Sequence, residues 1–163
     1  MFAVTAVQPS PPLRYAIDAA AGLLVIQVTS IADGPALLAA LREIKTDPLF
    51  RPSLDVCVDC NTLRVIPTSE EIKELARLCV ACPRSESKNR WVLIATWRPI
   101  YEAARFFATA VSAPNVILRV FEAWSDARVW LATTRAAALQ ATPWIGPSRA
   151  LNELIRRSAE GGR

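Results

Sequence analysis

Short apolar runs alternate with amphipathic stretches along most of this chain, and that alternation restricts the folds open to it. Leu13, Tyr15 and Ile17 alternate with polar or small residues, which is the period of a half-buried strand. A continuous apolar run at 23–28 follows after a short turn, and further strands are predicted at 54–59, 91–95 and 116–121. One hairpin followed by strands that alternate with helices predicts an α/β fold, a mixed sheet of about five strands covered by helices.

Capping signals place the helices between these strands. Asp33-Gly34-Pro35 supplies a cap followed by proline in the first turn. Asp47-Pro48 ends that helix, because the residue before proline disfavours helical dihedral angles. Thr68 precedes Glu71 by three residues, which is the spacing of a capping box at the start of a second helix. Two more helices are predicted, one before and one after the last strand.

The chain length suits one domain. A chain of 163 residues buries about 70% of its unfolded surface, so its core needs no disulfide or metal. We expect an irregular lead-in at 1–12, the domain at 13–134, and an extension at 135–163 with a short amphipathic helix. That helix docks on its own domain in the simpler interpretation, and a dimer contact is the alternative. A mean hydropathy of +0.24 also favours a homodimer, because one small domain can bury only part of so much apolar surface within itself.

Histidine is absent and glycine occurs only five times, which excludes several classes of site. Without histidine the chain has neither Ser-His-Asp catalysis nor imidazole metal ligands. With so few glycines it contains neither a P-loop nor a dinucleotide-binding fingerprint. We therefore expect neither enzyme activity nor a cofactor. The net charge is +4, but the basic residues are scattered singly, so nucleic-acid binding is not expected. The N-terminus lacks a signal-peptide pattern and no apolar stretch reaches the ~20 residues of a membrane span, so we expect a cytoplasmic protein.

Several segments, taken in order, are similar to segments of one bacterial family. They are Tyr15-Ala16-Ile17-Asp18 before Gly22-Leu23-Leu24-Val25, then Thr46-Asp47-Pro48-Leu49-Phe50-Arg51-Pro52, Val56-Cys57-Val58-Asp59, Ala104-Arg105-Phe106-Phe107, and Arg119-Val120-Phe121 leading to Val129-Trp130-Leu131. In order and spacing they resemble the small SpoIIAA-like proteins of the STAS group, which comprises sulphate-transporter and anti-sigma-factor-antagonist domains. The resemblance covers about residues 13–132.

The resemblance implies a mixed sheet with helices mostly on one side, and a regulatory role that depends on binding a protein partner. In the anti-sigma-factor antagonists, a phosphorylatable serine in an Asp-Ser-Ser-Gly-like sequence begins the helix after the strand equivalent to 54–59. This chain reads Ile66-Pro67-Thr68-Ser69-Glu70-Glu71 there, so the motif is absent. Thr68 or Ser69 holds the equivalent place, but the adjacent carboxylates repel a phosphate, and a helix cap alone explains Thr68.

The four cysteines form two Cys-x2-Cys pairs, Cys57 with Cys60 and Cys79 with Cys82, separated by eighteen residues. That spacing falls in the range of a four-thiolate zinc site. Side chains three apart on a strand point to opposite faces, however, and Cys79 lies on a helical stripe that core packing already explains. We therefore expect core thiols and no metal, with a zinc-stabilised module as the less favoured alternative.

Trp97, Arg98 and Tyr101 cluster where the fourth strand passes into the third helix. Ligands of open α/β sheets gather outside the carboxyl ends of the strands, so these residues are candidate contacts. Asn61 and Thr68 share that edge if the third and fourth strands are neighbours. In the alternative interpretation, Trp97 and Tyr101 only cover the end of the sheet while Arg98 is solvated.

Two functions remain open after these exclusions. We expect a non-catalytic, STAS-like regulatory domain that binds a protein partner near Asn61, Thr68 and Ser69. The alternative is the binding of a small apolar, lipid-like molecule between the sheet and the helices. The residues predicted to line that pocket are Ile72, Phe106, Phe107 and Trp130.

Overall fold

The computed structural model describes residues 11–81, 89–111 and 116–136. The expectations for 1–10, for Cys82 and for 137–163 lie outside these residues. Strands and helices alternate after an opening hairpin, so the predicted α/β fold is confirmed. The elements are β1 (Leu13–Asp18), β2 (Leu23–Val28), α1 (Gly34–Thr46), β3 (Asp55–Asp59), α2 (Ser69–Ala81), β4 (Asn89–Ile94), α3 (Arg98–Ala110), β5 (Val116–Phe121) and α4 (Trp124–Ala136).

The five strands form one sheet in the order β1-β2-β3-β4-β5. β1 and β2 are antiparallel, and each later pair is parallel. The hairpin turn is closed by the Asp18 carboxylate, whose Oδ1 accepts a hydrogen bond from the Ala21 N–H at 2.9 Å. Gly22 ends the turn at a φ of 63°, a left-handed conformation that glycine adopts without the Cβ clash of other residues.

Alternate residues of the strands divide the core between the two faces of the sheet. Leu24 and Ile26 of β2 pack with α1, while α2 and α3 pack around Leu93 of β4 on the same face. Leu23 and Val25 point the other way and join the cluster that contains α4. Three of the described helices therefore cover one face, which we call the three-helix face, and α4 covers the other.

A buried ion pair joins three elements on the α4 face. Arg90 Nε donates to Asp55 Oδ1 at 3.0 Å, and Arg90 Nη2 pairs with Asp55 Oδ2. Arg90 Nη1 also donates to the carbonyl of Leu131 on α4 at 3.0 Å. The two charged side chains are only 13% and 11% exposed. β4 starts at Asn89, two residues before the predicted strand, because the backbone at Asn89 and Arg90 already pairs with β5.

Among the described helices, none combines the length and the apolar character that a membrane-spanning helix requires.

Candidate functional site

The loops that follow β3 and β4 are joined at the carboxyl edge of the sheet. Asn61 Oδ1 accepts hydrogen bonds from the N–H of Thr96 at 2.7 Å and from its Oγ1 at 2.9 Å. Thr62 Oγ1 donates to the carbonyl of Val28 at 2.6 Å, which ties the same loop to the end of β2. β3 and β4 are neighbours, so the condition under which Asn61 shares this edge with Trp97 is met.

Large apolar side chains are exposed on these joined loops. Val65, Ile66 and Trp97 are 75%, 49% and 47% exposed. A buried cluster beneath them holds the two loops together; its members are Cys60, Leu63, Ala95 and Ile100. We call Asn61, Val65, Ile66, Thr96 and Trp97 the edge surface.

Arg98 and Tyr101 support this edge from the first turn of α3. Tyr101 is half-buried against the cluster of Cys60 and Ile100. The Arg98 guanidinium lies 5.8 Å from the centre of the Tyr101 ring and forms an ion pair with Glu102 at 2.6 Å. Tyr101 therefore covers the end of the sheet while the Arg98 side chain is exposed to solvent, as the alternative interpretation of this cluster predicts for these two residues. Trp97 instead leaves about half of its surface in solvent.

Thr68 caps α2, as the capping box predicts. Its Oγ1 accepts from the Glu71 N–H at 3.2 Å, and the Glu71 carboxylate accepts from the Thr68 N–H at 2.7 Å and from its hydroxyl at 2.9 Å. These hydrogen bonds lower the pKa of Glu71, so the carboxylate beside the hydroxyl is ionised. Phosphorylation of Thr68 would remove the capping hydroxyl and place the negative phosphate beside the Glu71 carboxylate. Ser69 is the exposed first residue of the helix.

The three described cysteines lie in separate surroundings. Cys57 is buried on the α4 face, Cys60 under the edge surface, and Cys79 beside α3. The predicted divergence of Cys57 and Cys60 is thus confirmed. Burial raises the pKa of the Cys57 thiol well above its ordinary value and that of Cys60 to about 12. Among the described residues, no three Cys, Asp or Glu side chains are grouped to hold a metal ion.

An apolar cavity of about 110 Å³ lies between the sheet and the three helices that cover it. Ile72 and Phe107 line it, as predicted for a lipid-like ligand. The predictions for the other two aromatic residues are wrong. Phe106 is 40% exposed on the outer side of α3, and Trp130 packs against Phe121 on the α4 face. The two adjacent phenylalanines diverge because successive helix positions are separated by about 100°.

A second cavity, of about 310 Å³, lies beside the first on the same face of the sheet. Its apolar walls include side chains of β2, α1, β3 and β4, and its polar residues are Lys45, Arg51 and Asn89. Sequence reasoning missed these residues. None of the three belongs to a recognisable motif along the sequence. Arg51 in the loop before β3 and Asn89 at the start of β4 come together only at one edge of the folded sheet.

Asp47 positions the loop that forms one wall of the second cavity. Its Oδ1 accepts from the Leu49 N–H at 2.8 Å, and its Oδ2 accepts from the hydroxyl of Tyr15 on β1 at 3.1 Å. Burial and this hydrogen bond raise the pKa of Tyr15 above its ordinary value. Arg51 donates from Nη1 to the carbonyls of Pro48 and Phe50 at 2.8 and 2.7 Å.

No family model matches the chain, and neither a curated protein nor a solved structure matches it.

Proposed function

We propose that this chain is a non-catalytic, STAS-like regulatory domain of the bacterial cytoplasm that binds a protein partner through its edge surface. The observation that carries the proposal is the exposure of Val65, Ile66 and Trp97 on loops that the Asn61–Thr96 hydrogen bonds hold together. Exposed apolar groups on an ordered surface favour association, because covering them removes apolar area from water. Aromatic side chains such as Trp97 commonly dominate the energy of such interfaces.

The chemistry of the edge surface specifies the kind of partner. Its centre is apolar, so the partner presents an apolar patch. The Asn61 amide oxygen and the Thr96 hydroxyl are already hydrogen-bonded to each other, so they order the loops and are not the main source of affinity. The proposal includes no phosphate switch, because the hydroxyl of Thr68 is engaged by the ionised Glu71.

Site-specific photocrosslinking in the native cells tests this proposal. A photoreactive phenylalanine analogue replaces Trp97 in one strain and Val129, which is 63% exposed on α4, in a control strain. We expect position 97 to capture one protein that position 129 does not. The purified partner is then expected to bind the wild-type chain, with at least tenfold weaker binding to Trp97→Ser and unchanged binding to Val129→Ser.

Equal capture at both positions, or unchanged affinity of Trp97→Ser for the captured protein, contradicts the proposal. A cross-link that forms only between copies of this chain contradicts a separate partner and supports the homodimer.

A second function, binding of a small lipid-like molecule, is favoured by the first cavity. Its lining is entirely apolar, and a cavity of that kind takes up apolar molecules in preference to water. Native mass spectrometry of freshly purified chain tests it: a retained apolar ligand supports this function. A bare chain that gains no thermal stability with acyl compounds contradicts it, and bound zinc supports the metal module instead.

A further inference from the structure

We propose that the two cavities together form one binding site for an amphipathic hydroxy acid, with its carboxylate and hydroxyl in the second cavity and its apolar chain in the first. This inference rests on the second function above and names the chemical class of its ligand. It makes Lys45, Asn89 and Trp91 recognition residues, none of which belongs to the edge surface.

The two cavities are adjacent because they share part of their walls. Ile26 of β2, Leu41 of α1, Cys79 of α2 and Trp91 of β4 line both of them. A molecule that passes between these side chains occupies both spaces. The second cavity alone exceeds the ~300 Å³ at which small-molecule pockets begin.

The walls change in chemistry from one cavity to the other. The first cavity exposes no polar surface, whereas the second has two cations at its rim, Lys45 in the last turn of α1 and Arg51 in the loop before β3. The ion pairs found in the described part of the chain include neither of these cations. An anionic head group is the complement of this rim, and an apolar chain is the complement of the first cavity.

Two buried polar atoms on β4 add a requirement for hydrogen bonds. Within the described residues, Trp91 Nε1 and Asn89 Oδ1 have no hydrogen-bond partner, although the Asn89 amide nitrogen donates to the carbonyl of Pro52 at 2.5 Å. The two residues are two apart on β4, so their side chains share the three-helix face. A buried polar atom without a partner destabilises the fold, and a ligand atom that forms the missing hydrogen bond removes that cost.

These two atoms differ in what they need. The indole N–H of Trp91 requires an acceptor, which a carboxylate oxygen supplies. The amide oxygen of Asn89 requires a donor, which a carboxylate lacks and a hydroxyl near the head group provides. A hydroxy acid with an apolar chain is the simplest molecule that meets both needs and the charge of the rim.

Isothermal titration calorimetry with three probes of equal chain length tests this assignment. They are 3-hydroxydecanoate, decanoate, which lacks the hydroxyl, and 1-decanol, which lacks the carboxylate. We expect one molecule of 3-hydroxydecanoate to bind per chain, at least fivefold more tightly than decanoate and at least tenfold more tightly than 1-decanol.

Charge variants on one helix provide the matched control. Lys45→Glu reverses a charge at the rim, whereas Arg42→Glu makes the same change three residues earlier on α1, at an exposed position outside both cavities. We expect Lys45→Glu to weaken 3-hydroxydecanoate at least fivefold without altering 1-decanol, and Arg42→Glu to alter neither. Trp91→Phe, which keeps an aromatic ring but lacks the N–H, is expected to weaken both acids.

The outcomes separate this inference from the function on which it rests. Equal affinity for all three probes, or equal effects of Lys45→Glu and Arg42→Glu, overturns the head-group assignment while apolar ligand binding stands. Equal affinity for the two acids overturns the role of the hydroxyl. Absence of binding by every probe overturns both the assignment and the small-molecule function.

Discussion

The buried ion pair between Asp55 and Arg90 gives a sharp test of what holds this fold together. In Asp55→Asn the side chain keeps its shape but loses its charge, so the half-buried guanidinium of Arg90 loses the carboxylate that it faces in the wild type. Removing one partner of a buried pair typically costs about 3–5 kcal/mol. Arg90 retains the Leu131 carbonyl and is 13% exposed, which places the expected loss near the lower end, at about 3 kcal/mol.

Urea unfolding followed by tryptophan fluorescence measures this loss. With a slope of about 2 kcal/mol per molar urea, typical of a small domain, the unfolding midpoint of Asp55→Asn falls by ~1.5 M. The control is Glu102→Gln in the exposed pair of Arg98 and Glu102, whose side chains are 72% and 46% exposed. Its expected loss is below about 0.5 kcal/mol, because solvent screens the pair.

A double-mutant cycle separates the pair from the burial of either residue. Arg90→Met keeps the apolar stem and removes the charge, and in the double variant neither charge remains buried. We expect the double variant to be more stable than the sum of the two single losses predicts, because each single variant removes one charge of the pair and the double variant removes both. A loss below about 1 kcal/mol for Asp55→Asn, or strictly additive losses, refutes the reasoning.

Two further predictions concern the α2 cap and the buried thiols. Thr68→Ala removes the capping hydroxyl and is expected to lower the free energy of unfolding by about 1 kcal/mol, whereas Ser69→Ala leaves it unchanged; equal urea midpoints for the two variants contradict the cap. The raised pKa of the Cys60 thiol, about 12 against an ordinary 9.0, means that this thiol ionises above pH 9 in the unfolded chain but not in the folded one. The contribution of this thiol to the free energy of unfolding is therefore fully present below pH 9 and is lost between about pH 9 and 12. Urea midpoints measured across this range are expected to fall less steeply for Cys60→Ala than for the wild type. An equal dependence of the urea midpoint on pH in Cys60→Ala and in the wild type contradicts this role of Cys60.

The elements of this fold could be predicted because their signals are local. The alternation at Leu13, Tyr15 and Ile17, the Asp33-Gly34-Pro35 start and the Thr68 capping box each depend on residues within one turn or one strand. The structure places a strand or helix at every one of them. The divergence of Cys57 and Cys60 also follows from the period of a strand, which requires no knowledge of neighbouring elements.

The candidate site depends on neighbours, and the sequence alone predicted less of it. Asn61 and Thr96 are 35 residues apart, and only the parallel pairing of β3 with β4 allows their hydrogen bonds. The sequence predicts Trp130 in the ligand pocket between sheet and helices, but the face of the sheet that a helix covers depends on how the chain crosses the sheet. α4 crosses to the face opposite the other described helices.

The sequence by itself determined the order and type of the elements, the helix caps and the exclusion of histidine chemistry, because these follow from composition and from residues a few positions apart. Only the tertiary structure decided that Asp55 and Arg90 form a buried pair and that Lys45, Arg51 and Asn89 surround one cavity. The reason is physical: a cavity or an ion pair forms between elements, at distances that strand order, register and sheet face set together.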